Sequence, residues 1–158
     1  MTTKIFDSRE PKTIRDKLSK SGWKQFTLIS GDYTFRTWNN LEIKDNSLSV
    51  GITRKTISDL LTSITSGIFA KQLEAMNEYF DFKIILLEGK WERIPYNNKI
   101  ITDWRIEPYS WDFCWNFLRT WQDRRFTIEM TTSSTHTVDR LESLYSYYQK
   151  PIHKGGLK

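Results

Sequence analysis

Residues 30–61 read SGDYTFRTWNNLEIKDNSLSVGITRKTISDLL, and the order of patterns in them decides the fold. Tyr33–Trp38 reads as a strand, and Gly31 permits the tight turn that enters it. Asn39-Asn40 signal a turn, Leu41–Lys44 a short hairpin arm, and Asp45-Asn46 a second turn. Ser47–Thr53 is the last strand of an antiparallel meander. Directly after Lys55 the apolar period becomes helical, with Ile57, Leu60, Leu61 and Ile64 on one face. Thr56, with Asp59 three residues on, resembles a capping box in which Asp stands for the usual Glu or Gln. Asp32, Arg54, Lys55 and Asp59 therefore collect at the ends of apolar strands, where an α/β protein builds a site.

Working outward, the chain before this stretch contains one strand, one helix and a second strand. Lys4-Ile5-Phe6 is apolar and stops before Pro11, which cannot extend a ladder. Lys12–Ser21 carries Ile14 and Leu18 at helical spacing, and Gly22 suits its C-terminal cap. Gln25–Ile29 alternates as a strand. Beyond the stretch, Gly67 interrupts the helix. A second helix, Ile68–Asp81, lines up Phe69, Leu73, Met76 and Phe80. Phe82–Gly89 is a near-continuous apolar run, the mark of a central strand buried on both faces. Lys90–Trp104, with Pro95 and Asn97-Asn98 as turn signals, reads as a loop. Trp111, Trp115, Leu118 and Trp121 define an aromatic helix face, and core packing is favoured over base stacking at that spacing. Arg125–Met130 is a strand. Ser134–Gln149 is a last helix, with Val138, Leu141, Leu144 and Tyr148 in phase. The sum is an α/β protein: a mixed central sheet, opened by an antiparallel meander and flanked by helices on both faces. Residues 1–150 form one domain, and 151–158 a basic C-terminal tail.

Bulk properties narrow the function classes. The 158 residues suffice for one domain with a real core, and 38% hydrophobic content argues against disorder. A formal charge of +5 suits an anionic partner such as nucleic acid without requiring one. The single cysteine, Cys114, excludes an internal disulfide, and with two His it cannot build a structural zinc site. His136 and His153 read as surface residues. No run approaches the length of a transmembrane helix, so no membrane is expected. The N-terminus lacks a signal-peptide core, so an intracellular protein is expected, in the cytoplasm or, in a eukaryote, the nucleus.

Asp7, Asp32 and Asp59 are the candidate acids, and Lys55 the candidate lysine. Carboxylates at strand ends suit a hard cation such as Mg²⁺. A lysine beside them can stabilise charge on a phosphate, and Arg9 and Arg54 can clamp one. The same aspartates also fit plain turn and cap roles. Spacing alone leaves both readings open.

Taken in order, Asp7-Ser8-Arg9-Glu10, Gly31-Asp32-Tyr33 and Arg54-Lys55-Thr56-Ile57-Ser58-Asp59-Leu60 resemble the XPF/Mus-type excision-repair nuclease domain family of the PD-(D/E)XK nuclease superfamily. The resemblance continues through Leu86-Leu87-Glu88-Gly89 and, more loosely, Trp115–Trp121 and Leu144–Lys150. It implies a restriction-endonuclease-like core and a Mg²⁺- or Mn²⁺-dependent, structure-specific DNA endonuclease that hydrolyses phosphodiester bonds. It implies Asp7 and Asp32 as metal ligands and Lys55 as the catalytic lysine. Arg9, Arg54 and Asp59 match supporting or phosphate-binding positions. Partners implied are DNA, branched or flap forms included, and a second subunit in a homodimer or heterodimer.

Thr53 departs from the pattern, because the family carries Glu there and Thr supplies no carboxylate. Three readings follow. The chain is a nuclease-inactive DNA-binding or dimer-partner module; another acid, Glu42 or Glu88, stands in; or the residue was substituted deliberately. Glu42-Ile43-Lys44 repeats the Glu-x-Lys spacing, but a turn follows it rather than a helix, so Lys55 is preferred.

Overall fold

The computed structural model describes residues 2–38, 47–103 and 105–150. The two Asn turns and hairpin arm expected between 39 and 46, Glu42 with them, and the basic tail lie outside the described residues. The chain runs β1 (Ile5–Asp7), α1 (Lys12–Lys20), β2 (Lys24–Phe26), β3 (Tyr33–Arg36), β4 (Ser49–Thr56), α2 (Ile57–Ser66) and α3 (Ile68–Tyr79). It continues through β5 (Phe82–Glu88), β6 (Trp91–Arg93), β7 (Lys99–Thr102), β8 (Ile106–Ser110), α4 (Trp111–Asp123), β9 (Phe126–Thr131) and α5 (Ser134–Tyr148).

Six strands form one mixed sheet in the order β2-β1-β3-β4-β5-β9. Its antiparallel part is β1, β3 and β4. Strand β2, though it directly precedes β3 in the chain, does not pair with it but lies outside β1 and parallel to it. Helix α1 makes that crossover, since parallel neighbours need a long connection. The strands β4, β5 and β9 are mutually parallel, with α2–α3 and then α4 in the connections.

Strand β5 explains why the sheet has two covered faces. Ile84 and Leu86 pack with Phe6, Ile14, Leu18, Leu141 and Leu144 in one core layer. Ile85 and Leu87 pack with Leu60, Leu61, Phe69, Leu73 and Leu118 in the other. Alternate side chains point to opposite faces, so a continuous apolar run is what a strand between two helical layers needs. Each of these four burials is worth about 2 kcal/mol.

Local signals set the helix ends. The Thr56 hydroxyl accepts from the Asp59 backbone N–H at 3.3 Å, which starts α2 where the capping pattern placed it. Gly67, at φ +78°, ends α2 and begins α3, a conformation that costs other residues strain. Gly51 in β4 has a different reason: a Cβ there would stand 2.2 Å from the Phe80 ring.

Two expectations are corrected. Lys90–Trp104 is not simply a loop: it contributes β6 and β7, which form a second, antiparallel sheet with β8. The Asn97-Asn98 signal falls at the β6–β7 connection, where Asn98 takes φ 58°. Trp91 of this sheet packs on Trp111 and Trp115 of α4, with ring centroids 4.8 and 5.7 Å apart. Together with buried Trp121, that makes the aromatic helix face a packing surface. The strand expected over Gln25–Ile29 ends at Phe26. Beyond it, the Leu28 backbone bonds to the side chains of Asp7 and Arg9 instead of to a strand. Among the described residues, no helix is long and apolar enough to cross a membrane.

Candidate active site

The neighbours β1, β3 and β4 bring their polar ends together. The Asp7 N–H donates to the Asp32 carbonyl at 2.7 Å, and the Asp32 N–H to the Ile52 carbonyl at 2.8 Å. Asp7, Asp32 and Thr53 are thus set side by side by backbone pairing. They line a cavity of about 630 Å³, together with Arg9, Arg54, Lys55 and Asp59. Residues far apart in sequence, from Asp7 to Asp59, share one space, and Lys71 of α3 also lines it.

Asp7 is buried and fully engaged. Its Oδ1 accepts from Leu28 N–H at 2.8 Å and Arg9 Nη2 at 3.1 Å. Its Oδ2 accepts from Arg9 Nε at 2.8 Å and the Arg9 N–H at 3.1 Å. Burial pushes the carboxyl up, but the Arg9 and Leu28 hydrogen bonds outweigh it and hold it below the usual range. Asp32 goes the other way, because burial dominates and raises it. Its Oδ2 accepts from the Arg54 N–H at 2.7 Å and the Thr53 hydroxyl at 3.2 Å.

Arg54 is turned inward. Its Nε and Nη2 reach Glu88 at 3.1 and 2.6 Å, and its Nη1 lies 3.7 Å from Glu10. The side chain is 11% exposed, so the guanidinium is committed to carboxylates rather than presented to a phosphate. Glu88 also accepts from Thr137, whose hydroxyl bonds Thr131 in turn. Arg54 and Thr137 outweigh burial and hold the Glu88 carboxyl below its usual range. Glu88 does not line the cavity of Asp7 and Asp32; it faces a different one, of about 310 Å³. In this arrangement it is the partner of Arg54. Lys55 Nζ lies 5.2 Å above the Phe69 ring, and Asp59 stands on the exposed side of α2.

Two charged cavity residues, Glu10 and Lys71, carried no assigned role in the sequence. Glu10 lies in the Asp7–Glu10 signature, so its signal was present. Its carboxylate accepts the Tyr33 hydroxyl, and burial followed by the charge of Asp32 push it up to about 7. Lys71 carries no local signal, being one of several polar positions on the exposed side of α3.

A Mg²⁺ or Mn²⁺ ion takes several hard, preferably anionic oxygens. Among the described residues, no group of three or more His, Cys, Asp or Glu is arranged to hold a metal. All four hydrogen bonds on Asp7 would compete with an ion, and Thr53 offers a neutral hydroxyl already turned to Asp32. These residues do not fit a complete divalent-cation site.

A mixed sheet between helical layers, with acids and a lysine at the ends of β1, β3 and β4, is the arrangement that the resemblance to a nuclease domain implies. The chain belongs to the ERCC4 domain family, whose model matches residues 6–144. Among solved structures it is similar to XPF from Aeropyrum pernix, at TM-score 0.69 and 20% identity, over 95% of this chain and 66% of that one. It is similar also to XPF from Aeropyrum pernix in complex with DNA, at TM-score 0.66 and 20% identity, over 93% of this chain and 64% of that one. The chain thus spans about two thirds of the length of these structures. No curated protein sequence matches it.

Proposed function

We propose that this chain is a DNA-binding domain of the nuclease fold in which metal-dependent hydrolysis is lost at Thr53. DNA binding is supported by family membership, by the DNA complex of the similar Aeropyrum pernix XPF, and by Arg9, Lys55 and Lys71 around one cavity. Loss of turnover is carried by one observation. Where the family pattern expects Glu, the Thr53 hydroxyl donates to Asp32, so the Asp32 carboxylate has a proton donor beside it instead of a second anion. Two carboxylates, one of them bound by Arg9, are a poor ligand set for Mg²⁺ or Mn²⁺.

A second reading, a Mg²⁺- or Mn²⁺-dependent endonuclease, is favoured by Glu10, a further carboxylate on the cavity of Asp7 and Asp32. Cleavage and binding assays on duplex, branched and flap DNA, each with Mg²⁺ and with Mn²⁺, separate the two. Wild type should bind DNA and leave it intact. Thr53→Glu should raise affinity for Mn²⁺ in calorimetry by about tenfold or more. Cleavage by wild type that disappears in Glu10→Gln would establish the endonuclease reading instead. Absence of binding to every DNA form would remove both.

A further inference from the structure

We infer that Ile29 is an apolar contact for an unstacked DNA base at the mouth of the cavity; the inference rests on the DNA-binding reading above. Ile29 is 87% exposed, more than any other large hydrophobic side chain among the described residues. It lines the cavity that holds Asp7, Asp32 and Lys55. An isolated exposed isoleucine is unremarkable on an open surface. Here it shares a cavity lining with Arg9, Lys55 and Lys71, the side chains suited to phosphate.

The segment that carries it is pinned on both sides. The Leu28 N–H donates to Asp7 at 2.8 Å, and the Leu28 carbonyl accepts from Arg9 at 2.9 Å. The hydroxyls of Thr27 and Ser8 meet at 3.0 Å. On the other side, the Asp32 carbonyl accepts the Asp7 N–H at 2.7 Å, after a turn in which Gly31 takes φ +73°. A β-branched side chain on a fixed backbone has little freedom left to lose when it makes a contact.

Nucleic acid offers such a rim two chemistries. Phosphate oxygens suit Arg9, Lys55 and Lys71. Base faces are apolar and suit Ile29, but in continuous duplex stacking covers them, and a wedge must first unstack a step. Ile29 therefore favours DNA in which one base is already unpaired.

The test uses fluorescence anisotropy with a continuous duplex and with the same duplex carrying one unpaired 2-aminopurine. Wild type should bind the second more tightly and change its 2-aminopurine fluorescence. Ile29→Ala should lose roughly five- to tenfold on the unpaired-base DNA and less than about twofold on the duplex. Ile29→Leu, which keeps the apolar volume, should retain the preference and the fluorescence change. Equal loss on both DNAs, or full retention of the preference by Ile29→Ala, overturns the role of Ile29 and leaves DNA binding standing. Failure of wild type to bind either DNA overturns both.

Discussion

Replacing Glu10 by Gln tests the electrostatics of the cavity. Burial first, then the charge of Asp32, push the Glu10 carboxyl from 4.5 up to about 7, against the pull of the Tyr33 hydroxyl and the Arg54 guanidinium. A carboxyl that ionises less readily in the folded chain than in the unfolded one stabilises the fold while neutral. That contribution is complete below the unfolded value of 4.5 and is lost as pH rises through about 7. At ~1.4 kcal/mol for each tenfold change, it amounts to about 3 kcal/mol. Glutamine has the same shape, can accept the Tyr33 hydroxyl and never ionises. At about pH 5 the two proteins should differ by no more than about 1 kcal/mol. At about pH 8 the variant should be more stable by about 3 kcal/mol, roughly 6–12 °C in Tm for a chain of this size. Asp7 and Glu88, held below the usual range, act in the opposite sense: their stabilisation is present above their unfolded values and is lost as pH falls through their folded ones. Both are common to the two proteins and largely cancel in the difference. Urea unfolding followed by tryptophan fluorescence from pH 5 to pH 8 measures it. A difference that stays flat with pH, or a variant less stable at the alkaline end, refutes the reasoning.

Arg54→Met should destabilise the chain by about 3–5 kcal/mol in the same urea assay, since it strands Glu88 and Glu10 in a buried setting. Adding Glu88→Gln should recover much of that loss, and a single-variant cost under about 1 kcal/mol would mean that water already solvates the pair. Cys114 is buried, and burial pushes its thiol up to about 12. It should resist a thiol reagent in the native state and react at once in urea; rapid native reaction would contradict its place in the core.

The sequence by itself carried the parts of the fold that short-range physics decides. Phe82–Glu88 is apolar on both alternating faces, so wherever it sits it must be covered twice. Thr56 and Asp59 are three apart, and Gly67 follows the last helical position, so α2 has its start and stop written locally. The candidate site was legible because motif order survives in the chain: Asp7, Arg9, Asp32, Lys55 and Asp59 could be singled out without knowing that they share a cavity. Lys90–Trp104 misled because its strands are short and interrupted by turn signals, and their pairing becomes evident only when Trp91 meets Trp111 and Trp115.

Tertiary structure alone decided which partners those residues took. Insertion of β1 between β2 and β3 is a choice among non-local pairings, and no window of sequence contains both sides of it. The same holds for charge. Arg54 looks like a phosphate ligand in the chain, but folding surrounds it with Glu88 and Glu10, and a buried guanidinium must spend itself on the nearest carboxylates. Glu10 is an ordinary acid until burial and Asp32 make it reluctant to ionise. Thr53 was visible as a missing acid from the start; that its hydroxyl turns to Asp32 follows from the backbone register that sets β3 against β4.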